Sequence, residues 1–560
     1  MKEITLDEVI EKVKNIEDKT ELSDYSYTKI NAMCSELLNE SKFHSDFKII
    51  TDYDADGICS AYIMEKLLKE LDPNSKVEVV CNDRRNSYGV PKDLKGHEKD
   101  TQYIVLDMGS NELDYILDTF GSSTMVIDHH IIEDEKVRER FDKNDRLLNF
   151  HSRNKDVPDY CATGLAYELY ERLCNCKAID PPMREKNTVK VIACIGTATD
   201  MVNVLDKNSH NREILKEGIQ LINNADKYTI DYSLGYILSK NGFDDKDCTA
   251  KQIAFNVGAF INSASRMSET IGENGAMLMY KALSGDPNDP KTYKQIDKLL
   301  KINAQRKNLV NEIQDGRYRA CVDLEKQRKT DVSVYVLNEG VPHAFCGLIA
   351  GKMAESIDKP TICLVKKDGH YTGSGRNVEG YTSLKAFIDK VALEMKDDQF
   401  VYGGHDDAVG ISKLNDLEAF EKAVKSTYFE KSDTEKECLK ISIDDLYSED
   451  TLKKIMSLEP MGIGLKLPPV VIEGKETNRN SGFLKGRDDW KKINVKTGDT
   501  TVSISDWSYS VDKYSRSNGN IRLLAEVGIN NYKGQHIELT AKYDSTFQKE
   551  KSLKKDDLTR

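Results

Sequence analysis

The spacing of hydrophobic positions divides the chain into regions of different structure. Between residues 47 and 150, short apolar runs typical of buried strands alternate with longer amphipathic stretches. In one such stretch the apolar residues recur every three or four positions, which indicates a helix: Ile58, Ala61, Met64, Leu68 and Leu71. The runs themselves lie at residues 47–51, 76–81, 103–106, 124–127 and 147–150. Strands that alternate with helices predict the α/β class and a doubly wound parallel sheet.

The pattern changes twice in the second half of the chain. Residues 225–325 are predicted to be mostly helical, and residues 292–314 contain neither Gly nor Pro, which favours one long connecting helix. A second, smaller α/β unit follows. Its predicted elements are a strand at 332–340, a helix at 347–357, a strand at 360–367, and glycine-rich turns at 373–377 and 402–410.

Beyond residue 469 the apolar positions alternate with a period of two, as in Ile521, Leu523, Ala525 and Val527. This period is typical of half-buried strands and predicts a small antiparallel β-barrel.

These changes define the predicted domains. They are an N-terminal helical segment (1–46), a parallel-sheet domain (47–224), a helical region with the connecting helix (225–325), a smaller α/β domain (326–430), a connector (431–469), a β-barrel (470–546) and a basic tail (547–560).

Composition favours a soluble protein with several cores, because 560 residues are too many for one. The net charge is −13, but residues 470–560 carry 17 basic and 13 acidic side chains, so an acidic body precedes a basic end. The twelve cysteines lack zinc-ligand spacing and are expected to be free thiols. We find neither a signal peptide nor an apolar run of about 18 residues, and therefore expect a cytoplasmic protein without a membrane partner.

Acidic residues and histidines follow the predicted strands and one predicted helix at the points where these end. The first strand leads into Asp52, Asp54 and Asp56, and later segments end in Asp107, in Asp128–His129–His130 and in Asp200. In an open parallel sheet all carboxyl ends lie on one edge, where ligands bind. A single Asp in such a place is usually a turn residue or a helix cap, but four such segments together predict a site.

The predicted site is rich in carboxylate oxygens and contains imidazole, which favours Mn²⁺ or Mg²⁺ over a thiolate-bound zinc ion. A carboxylate between two cations can bridge them, and two ions about 4 Å apart activate water and stabilise the leaving oxygen of a phosphoester. The sequence therefore predicts a two-metal phosphoesterase.

The segments TDYDADG, VLDMG, IDHH and GTATD resemble the four motifs of the DHH phosphoesterase superfamily. The resemblance implies metal ligation by a set of residues with Asp107 as the bridge: Asp54, Asp56, Asp107, His129 and Asp200. It also implies that Asp52 is a ligand or supports one, that Asp128 orients the histidine pair, and that His130 acts at the scissile phosphate. Ile50 stands where many relatives have a histidine, so one ion is expected to bind more weakly or to depend on Asp52.

Further segments resemble RecJ nucleases within that superfamily. They are CATGLAYEL, FINSASRM, the connector LEPMGIG and GINNYKGQHIEL. GLIAGKMAE, GSGRN and YGGHDDAVG resemble the DHH-associated domain, which implies that residues 326–430 form this substrate-binding domain. The resemblance implies that a 5′ phosphate is held by Arg266, Ser374 and Arg376, joined by Arg84 or Arg85. Gly403 and Gly404 would let the backbone approach a ligand closely, with His405 as a donor. The C-terminal barrel would be an oligonucleotide-binding (OB) fold, whose basic groove and base-stacking aromatic residues suit single strands. The candidates for stacking are Trp490, Trp507, Tyr509, Tyr514 and Tyr532. An aromatic residue in a small barrel is more often part of the core, so both roles stay open for them.

The function implied is a 5′-to-3′ exonuclease that degrades single-stranded DNA to nucleotide monophosphates in DNA repair, recombination or replication. The family also suggests single-strand-binding protein or a helicase as partners, a monomeric state, and a bacterial or phage-infected bacterial cell. Two alternatives stay open. One is a related enzyme that acts on short RNA or a small nucleotide, although such relatives generally lack the barrel. The other is a non-catalytic replication factor that binds single strands, against which the complete set of metal-site residues argues.

Overall fold

The computed structural model describes the chain except for residues 18–19, 87, 97, 99, 154–156, 225–228, 244–246, 315–320, 323, 326–329, 396–399, 433–435, 482–490, 507–519, 531–534, 543 and 545–560. The chain divides into two compact units. The first unit comprises residues 11–306 and 458–466, and the second comprises residues 1–10, 307–457 and 467–560.

The first unit contains a five-stranded sheet in which every pairing is parallel, with the order β3-β2-β4-β5-β6. The strands are β2 (Asp46–Thr51), β3 (Lys76–Cys81), β4 (Thr101–Leu106), β5 (Met125–Ile127) and β6 (Leu147–Leu148). Their apolar residues are buried, and Ile50, Val105 and Val126 from the three central strands share one hydrophobic cluster. The predicted α/β class and parallel sheet are confirmed.

Helices make up most of the rest of the first unit. They are α1 (Leu6–Glu17, which begins in the second unit), α2 (Asp24–Phe43), α3 (Ala55–Leu71), α4 (Leu113–Phe120), α5 (Glu135–Lys143), α6 (Ala162–Asn175), α7 (Met183–Asp200), α8 (Asn211–Asn223), α9 (Tyr232–Lys240), α10 (Ala250–Gln252), α11 (Ala259–Arg266), α12 (Ser268–Ile271), α13 (Gly275–Leu283) and α14 (Pro290–Gln314). A π-helix spans Ile253–Gly258, and 3₁₀ turns span Ser110–Glu112 and Phe150–Ser152. The unit boundary falls within α14, the predicted long helix. None of the described helices is both long and apolar enough to cross a membrane.

The smaller α/β sheet lies in the second unit and has the order β10-β11-β9-β8-β7. Its strands are β7 (Ser333–Val336), β8 (Thr361–Lys367), β9 (His370–Arg376), β10 (Val401–Gly404) and β11 (Ala408–Leu414). Its helices are α15 (Cys346–Ile357), α16 (Leu384–Met395) and α17 (Leu417–Ser426), and a 3₁₀ turn at His343–Phe345 precedes α15. Only β7 and β8 pair in parallel, and β9 pairs antiparallel with β8 and β11.

One prediction for this sheet is wrong. Residues 373–377 were expected to form a glycine-rich turn, but Gly373, Ser374, Gly375 and Arg376 belong to β9. A Cβ on Gly373 would clash with the Cys363 carbonyl oxygen of β8. Glycine therefore serves close strand packing here rather than a turn.

The C-terminal strands form the predicted barrel. They are β13 (Val470–Ser481), β14 (Lys491–Thr497), β15 (Thr500–Asp506), β16 (Asn520–Asn530) and β17 (His536–Lys542). The order β13-β14-β15-β17-β16 closes through pairing of β16 with β13. The closed five-stranded barrel is OB-like, but the pairing of β15 with β17 is parallel, so the barrel is not antiparallel throughout. The five aromatic residues predicted to stack on bases, and the basic tail, lie outside the described residues.

The barrel sheet extends to the N-terminus. Residues Lys2–Ile4 form strand β1, where a helix was expected, and pair in parallel with β12 (Glu437–Leu439), which meets β13 at Leu439 and Val470. Two short helices precede the barrel: α18 (Ile443–Leu446) and α19 (Glu449–Met456).

Candidate metal centre

The turn from β2 to α3 holds the first three carboxylates. Asp54 is the N-cap of α3, and one of its oxygens accepts the N–H groups of Asp56 (3.0 Å) and Gly57 (3.2 Å). A Cβ on Gly57 would lie 2.7 Å from the carbonyl oxygen of Asp52, so the turn requires glycine. The helix-cap role and a metal-ligand role are compatible for Asp54, because the cap bonds use only Oδ1.

Asp56 is fixed by a second helix. Its two oxygens accept the N–H groups of Thr163 and Ala162, both at 2.8 Å, at the N-terminus of α6. The side chain is only 2% exposed. The helix dipole and the two donors stabilise a negative charge that would be costly to bury alone.

Three carboxylates converge on the imidazole of His129. Its Nε2 lies 3.2 Å from Asp107 Oδ1, 3.6 Å from Asp56 Oδ2 and 3.9 Å from Asp200 Oδ2. Asp107 adopts a left-handed backbone conformation, with φ of 59°, directly after β4. Asp200 is the last residue of α7. Three strand ends and one helix end therefore meet at one edge, as the sequence pattern predicted.

A hydrogen-bond network organises the second histidine. Asp128 Oδ1 lies 2.8 Å from His130 Nδ1 and accepts the backbone N–H of His129 at 2.7 Å, while Oδ2 accepts the N–H of Ser110. Burial disfavours the charge on Asp128, but the two histidines and Ser110 outweigh burial and hold the pKa of Asp128 well below its usual range. The Tyr88 hydroxyl lies close to both nitrogens of the same ring, 3.2 Å from Nδ1 and 3.0 Å from Nε2.

Burial, followed by mutual repulsion, dominates the electrostatics of Asp52, Asp107 and Asp200. Burial, and then the neighbouring charge of Asp54, raises the pKa of Asp52 to about 8. Burial, and then the charges of Asp56 and Asp54, raises the pKa values of Asp107 and Asp200 well above the ordinary range. Asp52 Oδ1 is buried and has no hydrogen-bond partner among the described residues. Crowded buried carboxylates of this kind need a positive charge among them.

The donor atoms fit divalent cations. Three groups of side chains each place one donor atom per residue within 4.8 Å of the others: Asp52, Asp54 and Asp107; Asp56, Cys161 and Asp200; Asp107, His129 and His130. Asp107 belongs to two groups, which suits a bridge between two ions. Carboxylate oxygens with an imidazole suit Mn²⁺ or Mg²⁺. The ligand role of each residue stays a prediction.

Ile50 contributes to the core rather than to the metal centre. It is fully buried in the cluster that contains Val105 and Val126. No donor reaches the site from this position, which leaves Asp52 as the extra oxygen source on that side.

The structure distinguishes the two adjacent arginines. Arg85 forms a two-pronged pair with Asp83, with Nη2 2.6 Å from the carboxylate. Arg84 instead lies over the ring of Tyr53, 4.0 Å from its centroid, and its Nε is buried without a hydrogen-bond partner in the described part of the chain. Arg84 and Arg266 both act on the Tyr53 hydroxyl, whose pKa is nevertheless raised by burial and by Asp52. Arg84 is therefore a better candidate than Arg85 for binding an anion.

In the second unit, Ser374 and Arg376 meet the first turn of α15. A Cβ on Gly347 would lie 2.7 Å from Arg376 Nη2 and 3.4 Å from Ser374 Oγ. The guanidinium and the hydroxyl thus lie against the N-terminal turn of a twelve-residue helix, where backbone N–H groups and the helix dipole favour anions.

The predicted turn at residues 402–410 is a hairpin between β10 and β11. The His405 N–H donates to the Ala408 carbonyl oxygen at 2.7 Å and closes it. Gly404 has a φ of 142°, and a Cβ there would clash with Ala408, whereas a Cβ on Gly403 would meet nothing within 4 Å. Open space at Gly403 agrees with close approach of a ligand.

Several residues of the site were not predicted. Tyr88 contacts His130, the Asn149 Nδ2 group donates to Ser110 Oγ and to the His130 carbonyl oxygen (both 2.8 Å), and Asn262 Oδ1 accepts the Ala55 N–H at 2.9 Å. Cys161 was also missed as a donor near Asp56. Asn149 could have been found from its position directly after β6, because the aspartates of the site were predicted from their positions at the ends of strands. Cys161 and Asn262 lie in the RecJ-like segments CATGLAYEL and FINSASRM, from which no role was predicted for them, and no pattern along the chain indicates Tyr88.

Comparison with known proteins agrees with this architecture. The model of the DHH family, N-terminal domain, matches residues 46–199. The structure is similar to RecJ from Thermus thermophilus in complex with Mn²⁺, with a TM-score of 0.64 and 18% identity over 91% of this chain and 71% of that chain. For the Mg²⁺ complex from the same organism, the TM-score is 0.57 and the identity is 18%, over 91% of this chain and 69% of that chain. For exonuclease RecJ bound to manganese, the TM-score is 0.52 and the identity is 20%, over 70% of this chain and 94% of that chain. A search of curated proteins found no match. The chain therefore carries a DHH-family N-terminal domain at residues 46–199 within a RecJ-like fold.

Proposed function

We propose that the protein is a metal-dependent exonuclease that hydrolyses single-stranded DNA from its 5′ end to nucleotide monophosphates. The observation that carries the proposal is the convergence of Asp56, Asp107 and Asp200 on His129, beside the separate Asp128–His130 pair. One set of residues can hold cations while the other remains available for proton transfer, which is the division that phosphoester hydrolysis requires.

The cations would be held by Asp54, Asp56, Asp107, His129 and Asp200, with Asp52 as an added donor. Bound Mn²⁺ or Mg²⁺ ions supply charge stabilisation at the scissile phosphate and a nucleophile at neutral pH. His130 would hold a proton beside the leaving oxygen. Asp128 fixes the orientation of that imidazole through the contact between Oδ1 and Nδ1.

Phosphate recognition supports an exonuclease rather than a general phosphatase. The Nε of Arg84 has no hydrogen-bond partner among the described residues. Arg376 lies with Ser374 at the start of α15. A guanidinium beside a hydroxyl and helix N–H groups suits a terminal phosphate. The OB-like barrel offers a surface for further nucleotides of the same strand, which a nucleotide phosphatase would not need.

The test compares digestion of single-stranded DNA carrying a 5′ phosphate, a 5′ hydroxyl or a blocked 3′ end, with and without Mn²⁺. We expect metal-dependent release of mononucleotides that is fastest with a 5′ phosphate and unaffected by the 3′ block. A duplex of the same sequence should be resistant, and the Asp107→Asn protein serves as the control for contaminating nucleases.

Two other outcomes would replace the proposal. Cleavage of short RNA alone would indicate an oligoribonuclease. Tight strand binding without release of nucleotides under any metal condition would indicate a scaffold.

A further inference from the structure

Cys161 is a buried thiol directly beside the metal centre. It is the N-cap of α6, is 0% exposed, and its Sγ accepts the Gly164 N–H at 3.4 Å. The next two backbone N–H groups of the same helix end hold Asp56. A sulfur atom and a carboxylate of the metal centre are therefore fixed by one helix terminus.

Three donors from Asp56, Cys161 and Asp200 converge on one position, and the imidazole of His129 lies beside the two carboxylates. The Sγ of Cys161 and one oxygen each of Asp56 and Asp200 lie within 4.8 Å of one another. The Nε2 of His129 lies 3.6 Å from Asp56 Oδ2 and 3.9 Å from Asp200 Oδ2. Ligand bonds of about 2.0 to 2.3 Å place two donors of a tetrahedral ion within this range of each other.

The chemistry of this set differs from that of the rest of the centre. Asp52, Asp54 and Asp107 offer oxygen alone, which suits hard ions. Sulfur, nitrogen and two oxygens are donors that Zn²⁺ and related thiophilic ions accept, whereas Mn²⁺ and Mg²⁺ gain little from sulfur. The four side chains differ in burial. Cys161 and Asp56 are enclosed, while the side chains of His129 and Asp200 are 19% and 26% exposed.

We propose that Cys161 is a ligand for a thiophilic ion, so that Zn²⁺ or Cd²⁺ binds with Asp56, His129 and Asp200 and excludes the catalytic hard ion from that position. On binding, the thiol loses its proton to the solvent and its sulfur bonds to the ion. The Gly164 N–H continues to donate to the sulfur and stabilises the thiolate, as a helix N-terminus does. The inference rests on the metal centre of the proposed function and is independent of the nucleic-acid substrate.

The test is a Cd²⁺ titration of the full-length protein, followed by the ultraviolet charge-transfer absorption of cadmium–thiolate bonds. Cys161→Ser removes the sulfur and keeps the helix cap, because Ser is a favoured N-cap residue. Cys194→Ser is the matched control, since Cys194 is a buried thiol of α7, the helix that ends at Asp200. Asp200→Asn tests the same site with every cysteine intact.

We expect one saturable absorption step in the wild-type and Cys194→Ser proteins that excess Mn²⁺ suppresses. Cys161→Ser should lack this step, and Asp200→Asn should need about ten-fold more Cd²⁺ or higher. An equal step in Cys161→Ser and wild type, or a step indifferent to Mn²⁺, would overturn the inference.

A separate measurement of Zn²⁺ inhibition distinguishes the two proposals. If nuclease activity is absent but the Cys161-dependent absorption is present, the proposed function fails and this inference stands. If the nuclease is active and Zn²⁺ inhibits wild type and Cys161→Ser equally, the proposed function stands and the inference fails.

Discussion

At the residue scale, the acidic side chains of the centre each perform a structural and a chemical task. Asp54 caps α3, and Asp56 satisfies two N–H groups at the start of α6. A helix cap and a metal ligand are often treated as alternative explanations for an aspartate at a strand end. Here they coincide, because a carboxylate has more lone pairs than one cap requires.

Replacement of Asp107 or His130 tests the centre most directly. We expect Asp107→Asn and His130→Gln to lower the rate of Mn²⁺-dependent nucleotide release by about 10² or more, with strand binding largely kept. Asn suits position 107 because it tolerates the left-handed backbone better than Ala does. The measurement pairs single-turnover release with binding of a labelled strand.

The matched control is Asp114→Asn, which removes an exposed carboxylate paired with Arg140 in the same unit. It should leave the rate unchanged. Wild-type rates in either Asp107→Asn or His130→Gln would contradict the mechanism.

The sequence could predict which carboxylates converge, because parallel strands must end at the same edge. It could not predict that Tyr88 reaches His130 or that Cys161 reaches Asp56. Tyr88 lies in the irregular connection after β3, and the position of Cys161 depends on how α6 packs against α3. Both contacts are set by tertiary packing, which no local period records.

At the scale of the element, β9 shows how a composition rule can mislead. Its segment GSGR contains two glycines, and glycine-rich segments usually mark turns. In this strand the missing side chains serve packing instead, at Gly373 against β8 and at Gly375 beside Leu384. The turn prediction for this segment is therefore wrong, and the phosphate-binding role of Ser374 and Arg376 stays a prediction.

The contact between β9 and α15 yields a prediction with a built-in control. A Cβ at Gly347 would lie 2.7 Å from Arg376 Nη2, whereas a Cβ at Gly351 would lie 3.9 Å from Arg376 Cγ, an ordinary contact. We expect Gly347→Ala to displace the guanidinium and to raise the KM for a 5′-phosphorylated strand about ten-fold. Gly351→Ala should leave the KM unchanged, and it should raise helix stability by about 0.5 to 1 kcal/mol.

Steady-state kinetics on 5′-phosphorylated and 5′-hydroxyl strands would check both variants, with thermal unfolding as the measure of stability. Equal KM values for Gly347→Ala and Gly351→Ala would show that Arg376 does not contact the phosphate.

At the scale of the whole molecule, charge is divided between the acidic body and the basic C-terminal end. Residues 470–560 carry a net charge of 17 − 13 = +4, against −17 for the remainder. Within the barrel, Lys475 of β13 and Lys496 of β14 are both exposed and stand directly opposite each other in register. Neither forms an ion pair with a carboxylate in the described part of the chain. Facing like charges are unfavourable without an anion, and a strand phosphate would supply one.

Removing that lysine pair should weaken the binding of long strands without changing the chemistry. For Lys475→Ala/Lys496→Ala we expect lower affinity for single-stranded DNA and a salt dependence shallower by about 1.4 in slope, or about 0.7 for each phosphate contact. Cleavage of a dinucleotide should stay at the wild-type rate, because every residue of the metal centre is unchanged. Fluorescence anisotropy over a range of salt concentrations measures the slope.

The control is Lys453→Ala/Lys454→Ala, which removes the same charge from α19, where both lysines pair with nearby carboxylates. A wild-type slope for the barrel variant, or an equal loss for both variants, would exclude a specific role of the lysine pair.

The pairing of β1 with β12 also determines when the second unit can be completed. Lys2 pairs with Glu437, 435 residues further along the chain, and β12 continues into the barrel sheet through β13. During synthesis at about 5 to 20 residues per second, the first strand therefore waits roughly 20 to 90 seconds for its partner. For that time residues 2–4 lack the hydrogen bonds of this pairing.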